Sequence, residues 1–404
     1  MQLNQLFKNK NVKNAVFIGV LCSVSYLAVY FARNILGTVT PQMIENGYHE
    51  SYIGKVSSTY FICYAVGQLI NGIIGDKIKA RYMISVGLFM AGITNFLFSV
   101  LSQNYGGLAM IAYGLTGFFL SMIYGPMTKI VAENTEPIYA TRVSLGYEFS
   151  ALIGSPIAGI AAAILVWQSV FITSSVVLVL MAVICFAFFL FFEKRGIIKY
   201  NQYTPEKENG KGIKVLIKHR IIKFTLISVI TGVVRTTVVF WMPTYFSQYL
   251  GFSPKTSASI FTVATLIISL TTFITIFLYE KLNRNMDKTI LIMFVTASLF
   301  FILLYLIKQP VINIVFMVIA IMASNGAATM LWSRYCPSLR DTGMVSSATG
   351  FLDFMSYMAA AASSTLFANA VSQIGWGNLI LIWCGLMLFG VAISIPRKAK
   401  NLQV

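Results

Sequence analysis

Residues 30–41 read YFARNILGTVTP, and residues 232–243 read GVVRTTVVFWMP. Each stretch holds an arginine inside an apolar run, Arg33 or Arg235, with a proline eight residues on, Pro41 or Pro243. Gly47-Tyr48 follows the first and Gly251-Phe252 the second. The two arginines stand 202 residues apart, half the length of the chain. This is an internal repeat. A second correspondence agrees with it. Gly154, Ser155, Pro156 and Gly159 lead into an alanine run in one half, and Ala359 to Ala362 precede Ser363 and Ser364 in the other. Small residues of this kind let helix backbones approach closely in lipid.

The surroundings make both arginines conspicuous. Of 404 residues, 57% are hydrophobic, 14% aromatic and only 11% charged. The mean hydropathy is +0.76. A soluble domain carries about 25% charged residues, and it cannot hold this much apolar surface without exposing large patches to water. The chain reads as an all-α integral membrane protein. A spanning helix needs about 20 apolar residues, so twelve use roughly 250 and leave no room for a large soluble domain. The apolar runs are continuous rather than alternating, which argues against a β-barrel.

Polar breaks delimit twelve candidate spans: 14–40, 52–75, 82–101, 106–130, 141–165, 168–192, 221–247, 257–279, 288–307, 309–333, 341–370 and 375–395. The repeat groups them into a six-helix bundle over residues 1–192, a flexible, lysine-rich cytoplasmic linker over 193–220, and a second six-helix bundle over 221–404. Two parallel six-helix repeats make the major facilitator plan, which binds substrate near the midplane.

The net charge of +17 suggests nucleic acid in a soluble protein. Here it has another explanation. With the N-terminus cytoplasmic, 25 of the 30 Lys and Arg fall in cytoplasmic segments, and only Lys55, Lys255 and Lys308 fall outside. The positive-inside rule then sets both termini in the cytoplasm of a multi-pass cell-membrane protein, with no nucleic-acid partner. The N-terminal residues run into a span too long for a cleavable signal sequence.

The five cysteines lie in or beside apolar runs with no C-x-x-C pair, and His49 and His219 fall between spans. They read as filler and loop residues, so no metal and no cofactor is expected. No P-loop, G-x-S-x-G, H-E-x-x-H or kinase signature is present, and the chain does not read as an enzyme.

Arg33 and Arg235 are the two cations left inside spans, where insertion costs about 2.5–3.5 kcal/mol. Snorkelling to a headgroup is open to Arg33, nearer the end of its span, and poor for Arg235, roughly 21 Å in at helical rise. Guanidinium forks match phosphate or carboxylate bidentately, so the pair reads as an anion clamp. Tyr26 and Tyr30 share a helix face with Arg33, and Tyr64 and Gln68 are one turn apart on span two. With Tyr357 of span eleven they are the candidate substrate contacts, the alternative being ordinary interior aromatics. Glu148 and Asp353 are carboxylates inside spans five and eleven. They are open to three roles: counter-ion to an arginine, proton coupling, or gating. Gly72, Asp76, Lys77 and Arg81 fit the loop pattern G-x-x-x-D-[RK]-x-G-[RK]-[RK] between spans two and three, with departures at Lys79 and Ala80. They read as a gating charge latch.

The stretches YFARNILGTVTP, GYHESYIGKVSSTYFICYAVGQLINGIIGDK and GVVRTTVVFWMPTYFSQYLGFS together resemble the organophosphate:phosphate antiporters, the family of bacterial glycerol-3-phosphate and hexose-phosphate transporters. The resemblance implies that Arg33 and Arg235 bind the phosphate and that Tyr26, Tyr30 and Tyr64 line the cavity. It also implies departures. A span-two lysine of some members falls at Gln68, and a span-five histidine of the glycerol-3-phosphate transporters falls near Ser150. The expectation is a monomeric secondary transporter that moves a phosphorylated small organic anion, in exchange for inorganic phosphate, by alternating access in the lipid bilayer. The alternatives are a proton- or cation-coupled symporter of an organic carboxylate and a transporter-like sensor of phosphate esters.

Overall fold

The computed structural model describes residues 10–75, 78–200, 216–217, 219–339 and 345–395. Regular structure among them is helical throughout. The rods in chain order are α1 Lys10–Glu45, α2 Glu50–Gly75, α3 Ala80–Leu101, α4 Gly106–Asn134, α5 Pro137–Ile164 and α6 Trp167–Lys194. Then come α7 Ile221–Gln248, α8 Pro254–Lys281, α9 Met286–Leu306 and α10 Pro310–Tyr335. The last helical stretch, Val345–Ser394, breaks at Gly375, whose φ of 73° and ψ of 169° no helix contains. It gives α11 (345–374) and α12 (376–394). Nine of the described helices are long and apolar enough to cross a membrane, the ninth being the 47-residue Ala348–Ser394 that contains this break.

The helix ends follow local chemistry. Gly47 and Gly251 take left-handed φ values of 90° and 78°, which glycine adopts without strain. The chain then folds back, with Tyr48 N bonded to Met43 O at 3.1 Å and Phe252 N to Phe246 O at 3.2 Å. The repeat seen in the sequence is therefore also a repeat of turn geometry. Asn285 caps α9 by accepting from Lys288 N, and Gln309 caps α10 by accepting from Ile312 N, each satisfying an orphan amide of the first turn.

The chain divides into two compact units. The first comprises Met1–Tyr48, Lys55–Glu206 and Ser253–Thr265; the second comprises His49–Gly54, Lys207–Phe252 and Leu266–Val404. In the first, α1 packs most extensively on α5, and α3 packs on α4 and α6. Polar side chains tie these helices together. Asn95 of α3 donates to Phe171 O and Ser175 Oγ of α6, Thr94 meets Thr116 of α4 at 2.9 Å, and Asn71 of α2 donates to Ser121 Oγ at 2.7 Å. Bonds like these contribute about 0.6 kcal/mol each in a bilayer.

In the second unit, α7 and α9 pack on the α11–α12 stretch and α9 on α10. Ser228 of α7 donates to Leu352 O, and Thr237 of α7 meets Ser363 Oγ at 2.8 Å. Asn313 of α10 is fully buried and donates to the last carbonyls of α9, Leu304 O and Ile307 O, while accepting from Tyr245.

The segment expected as a flexible linker from 193 is held further than its composition suggests. Glu193 and Lys194 finish α6. Beyond them Ile197 N bonds Phe192 O at 2.9 Å, Lys199 N bonds Asn134 Oδ1 at 2.7 Å, and Ile198 is buried. The first turn after α6 is therefore docked as far as Tyr200, because its backbone donors find carbonyl and amide partners on α6 and α4.

Candidate functional site

Arg33 lies half-buried on α1. Its guanidinium carbon is 5.2 Å from the ring centroid of Tyr30, one turn earlier, and 5.2 Å from that of Tyr64 on α2. Two ring faces therefore fix the guanidinium by cation–π attraction, about 0.5–2 kcal/mol each according to desolvation. The in-plane N–H fork is the part that matches an oxyanion. Behind Tyr30 stands Tyr26, 4.9 Å away centroid to centroid. Tyr26 in turn meets Tyr124 of α4 at 5.6 Å and Tyr147 of α5 at 5.8 Å. Tyr64 stacks on Tyr60, which meets Tyr113 of α4 at 5.0 Å. Gln68 is half-buried one turn beyond Tyr64.

Gly154 explains how α5 reaches this cluster. A β-carbon there would stand 2.8 Å from the Tyr30 carbonyl carbon, so only glycine lets the two backbones touch.

The second unit has its own arginine site. Arg235 sits in a π-helical turn, Val233–Val238, where Val239 N reaches back to Val234 O. Such wide turns are frequent at functional sites. The Arg235 guanidinium lies 3.9 Å from Asp353 Oδ1 of α11, with side-chain exposures of 35% and 32%. At that length and exposure the pair contributes little, about 0–1 kcal/mol. On another side its guanidinium carbon is 5.9 Å from the ring of Trp332, itself within a second π-helical turn, Leu331–Tyr335. Gly232, just before the first π turn, lies against Ser356 of α11; a β-carbon there would be 2.9 Å from Ser356 O. Tyr357, the next residue, is buried.

Arg81 of the loop motif is buried at the start of α3. It bonds Glu193 Oε2 at the end of α6 at 2.7 Å and Tyr82 OH at 2.7 Å. Tyr200 OH donates to the other oxygen of Glu193, also at 2.7 Å. Burial first, and then this bond to a carboxylate, raise the Tyr200 phenol well above its usual range. Asp76 and Lys77 lie outside the described residues, and so do the surroundings of Gly72 and the side chain of Glu148. Among the described residues, no group of three His, Cys, Asp or Glu is arranged to hold a metal ion.

The family model described as Major Facilitator Superfamily matches residues 22–364. The chain belongs to that superfamily. It is a multi-pass membrane protein. Solved superfamily structures share its fold. A D-xylose-proton symporter superposes with a TM-score of 0.74 at 12% identity, covering 94% of this chain and 97% of its own. A nucleoside transporter, NupG, gives 0.72 at 11%, covering 95% and 100%.

Among curated relatives, the "Glycerol-3-phosphate transporter" of Bacillus subtilis (strain 168) is 24% identical over 273 residues, 61% of this chain and 60% of its own length. The "Probable hexose phosphate transport protein" of Chlamydia pneumoniae is 26% identical over 111 residues, 27% of this chain and 24% of its own. The "Membrane sensor protein UhpC" of Escherichia coli (strain K12) is 34% identical over 76 residues, 19% of this chain and 17% of its own. The chain thus spans 60% or less of the length of these relatives. They bear out the resemblance to the organophosphate transporters within the superfamily.

Five aromatic residues at these sites carry no signal in the sequence: Tyr60, Tyr113, Tyr124, Tyr147 and Trp332. Tyr124 and Tyr147 are two of 20 tyrosines, and only the packing of α4 and α5 against α1 distinguishes them. Trp332 has no signal in the sequence, because a π turn changes which face a residue presents and leaves no composition mark.

Proposed function

We propose that this protein is a secondary transporter of a phosphorylated small organic anion, which it exchanges for inorganic phosphate by alternating access. Arg33 and Arg235 bind the phosphate, one from each six-helix half, 1–192 and 221–404, joined by residues 193–220. Tyr26, Tyr30, Tyr64, Gln68 and Tyr357 contact the ligand, and Asp353 holds Arg235 as an internal counter-ion when the anion is away. Gly72, Asp76, Lys77 and Arg81 form the gating latch, and Glu148 is a further coupling carboxylate. The protein works as a monomer with both termini in the cytoplasm.

The observation that carries this reading is the treatment of the two repeat-related arginines. Each is inside an apolar rod, and each is held by aromatic rings, at 5.2 Å for Arg33 and 5.9 Å for Arg235. Ring faces orient a guanidinium. The names of the relatives support phosphate esters as the ligand class. Exchange also has an electrical logic. Each charge crossing 100 mV costs or gains about 2.3 kcal/mol, so a counter-moving phosphate offsets most of the work of carrying a dianion into a negative cell.

Proteoliposomes loaded with phosphate test the reading. Labelled phosphate should leave in exchange for external sugar phosphates or glycerol phosphates, and Arg33→Lys or Arg235→Lys should reduce that exchange at least tenfold. Unchanged exchange in both variants, or carboxylate uptake driven by a pH gradient with no stimulation by internal phosphate, sinks it. The similarity to a protein named as a membrane sensor favours one second reading, a receptor for phosphate esters. Tight binding of a phosphate ester with no measurable flux would establish it.

A further inference from the structure

The N-terminal part of α1, before the tyrosine cluster, borders a groove that the transport reading leaves without a role. Val12, Val16, Val20 and Val24 of α1, with Tyr139 and Val143 of α5, wall a volume of about 490 Å³. Val16, Val20 and Val24 are exposed, so the groove opens away from the helix core. Phe17 lies beside it and stacks on Phe192 of α6 at 6.1 Å. The lining is mostly apolar, with Ser23 and Tyr139 its two hydroxyl residues, which gives water few partners, and in a membrane-spanning unit the neighbour of this face is hydrocarbon.

Its length suits one chain of one leaflet. From Val12 to Val24 the helix rises about 18 Å; half of a hydrocarbon core about 30 Å thick is about 15 Å. One end of the groove is positive. Lys13 is exposed, lies over the Phe17 ring at 5.7 Å, and stands one turn from Val16 and Phe17 on the same side of α1. The Phe17–Phe192 stack brings the end of α6 to this level, with Lys194 and Arg195 exposed. The acids nearby are engaged elsewhere. Glu193 is bonded to Arg81 and Tyr200. Glu136 accepts from Asn11 at 2.7 Å, roughly 200° around α1 from Lys13 at 3.6 residues per turn.

We propose that this groove is a phospholipid site. An acyl chain from the leaflet on the Lys13 side lies along α1 against α5, and an anionic headgroup phosphate sits among Lys13, Lys194 and Arg195. The proposal is independent of the transported substrate, because none of the arginine-site residues lines the groove.

Native mass spectrometry of the purified full chain, supplied with phosphatidylglycerol or phosphatidylcholine of matched chains, tests it. The wild type should retain phosphatidylglycerol several-fold more than phosphatidylcholine. A K13Q/K194Q/R195Q variant should lose that preference and still retain either lipid at the lower level. A Val20→Trp variant, which fills the groove, should retain less of both. A K281Q/R284Q/K288Q variant, which removes three exposed cations of the second unit, should keep the preference. Equal retention of the two lipids by the wild type overturns the proposal. So does an unchanged preference in the first triple variant, an equal loss in the second, or undiminished retention with tryptophan at position 20.

Discussion

Gly154 on α5 touches the backbone of Tyr30 on α1. A β-carbon at position 154 would stand 2.8 Å from the Tyr30 carbonyl carbon and 3.0 Å from the Phe31 amide nitrogen. Both neighbours are backbone atoms, which cannot swing aside. Three residues further along α1 is Arg33, so the close contact of α1 with α5 sets the position of the guanidinium and of the rings around it.

Gly154→Val should therefore damage the site through packing. Overpacking of this kind costs about 1–3 kcal/mol. The expected result is a lower unfolding temperature in detergent together with weaker anion binding. An unchanged melting temperature would mean that α1 and α5 are free to separate here.

Tyr64→Leu should weaken anion binding while Tyr64→Phe leaves it near the wild-type value. The ring face, at 5.2 Å from the Arg33 guanidinium carbon, supplies the orientation. Losing about 0.5–2 kcal/mol of cation–π attraction corresponds to a drop in affinity of about two- to thirtyfold. Titration calorimetry with inorganic phosphate reads this directly. Equal losses in both variants would assign the role to the hydroxyl instead.

Asp353→Asn should strengthen phosphate binding. The carboxylate stands 3.9 Å from the Arg235 guanidinium and competes with an arriving anion for it. Removing its charge leaves the cation to the ligand, so the equilibrium constant should rise and exchange should slow, because the empty site is no longer balanced. Weaker binding in Asp353→Asn would instead give the carboxylate a direct contact with the ligand.

Arg81→Ala and Glu193→Ala should each destabilise the protein more than the paired Arg81→Met/Glu193→Leu change. Breaking one side of a largely buried ion pair typically costs about 3–5 kcal/mol, whereas an apolar replacement of both partners is often close to neutral. Here the side chains are 9% and 16% exposed, and Arg81 also holds Tyr82 while Glu193 holds Tyr200. Thermal unfolding of the three variants in one detergent compares them. Equal stability of all three would reduce the pair to a surface contact.

Much of the fold was legible because lipid imposes simple rules. A run of about 20 apolar residues must be helical to satisfy its backbone, so the rods were countable from α1 to α10. The sequence pattern puts the join of α11 and α12 at 371–374, whereas the helix runs on to a single break at Gly375. A one-residue change of φ leaves no stretch of polar sequence. The lysine-rich stretch after α6 read as linker from composition alone. The hydrogen bonds that pin residues 197–200 run to α6 and α4, and long-range partners do not show in local composition.

At the sites, Arg33 and Arg235 stood out because a charge inside an apolar run is costly in lipid, and the repeat matched them. That was determined by the sequence itself, as was the helical membrane class. What only the tertiary structure decided is which of many aromatic residues meet those arginines. Tyr30 was legible from helical spacing, and Tyr64 from the family resemblance, while the meeting of Tyr64 with Arg33 across two helices came from packing. Tyr124, Tyr147 and Trp332 were not legible, because their place depends on the close approach of α5 to α1 at Gly154 and on the π turns in α7 and α10. Insertion energetics act on each helix separately, and so can be read along the chain. Side-chain contacts between helices arise from packing in three dimensions, which linear order does not encode.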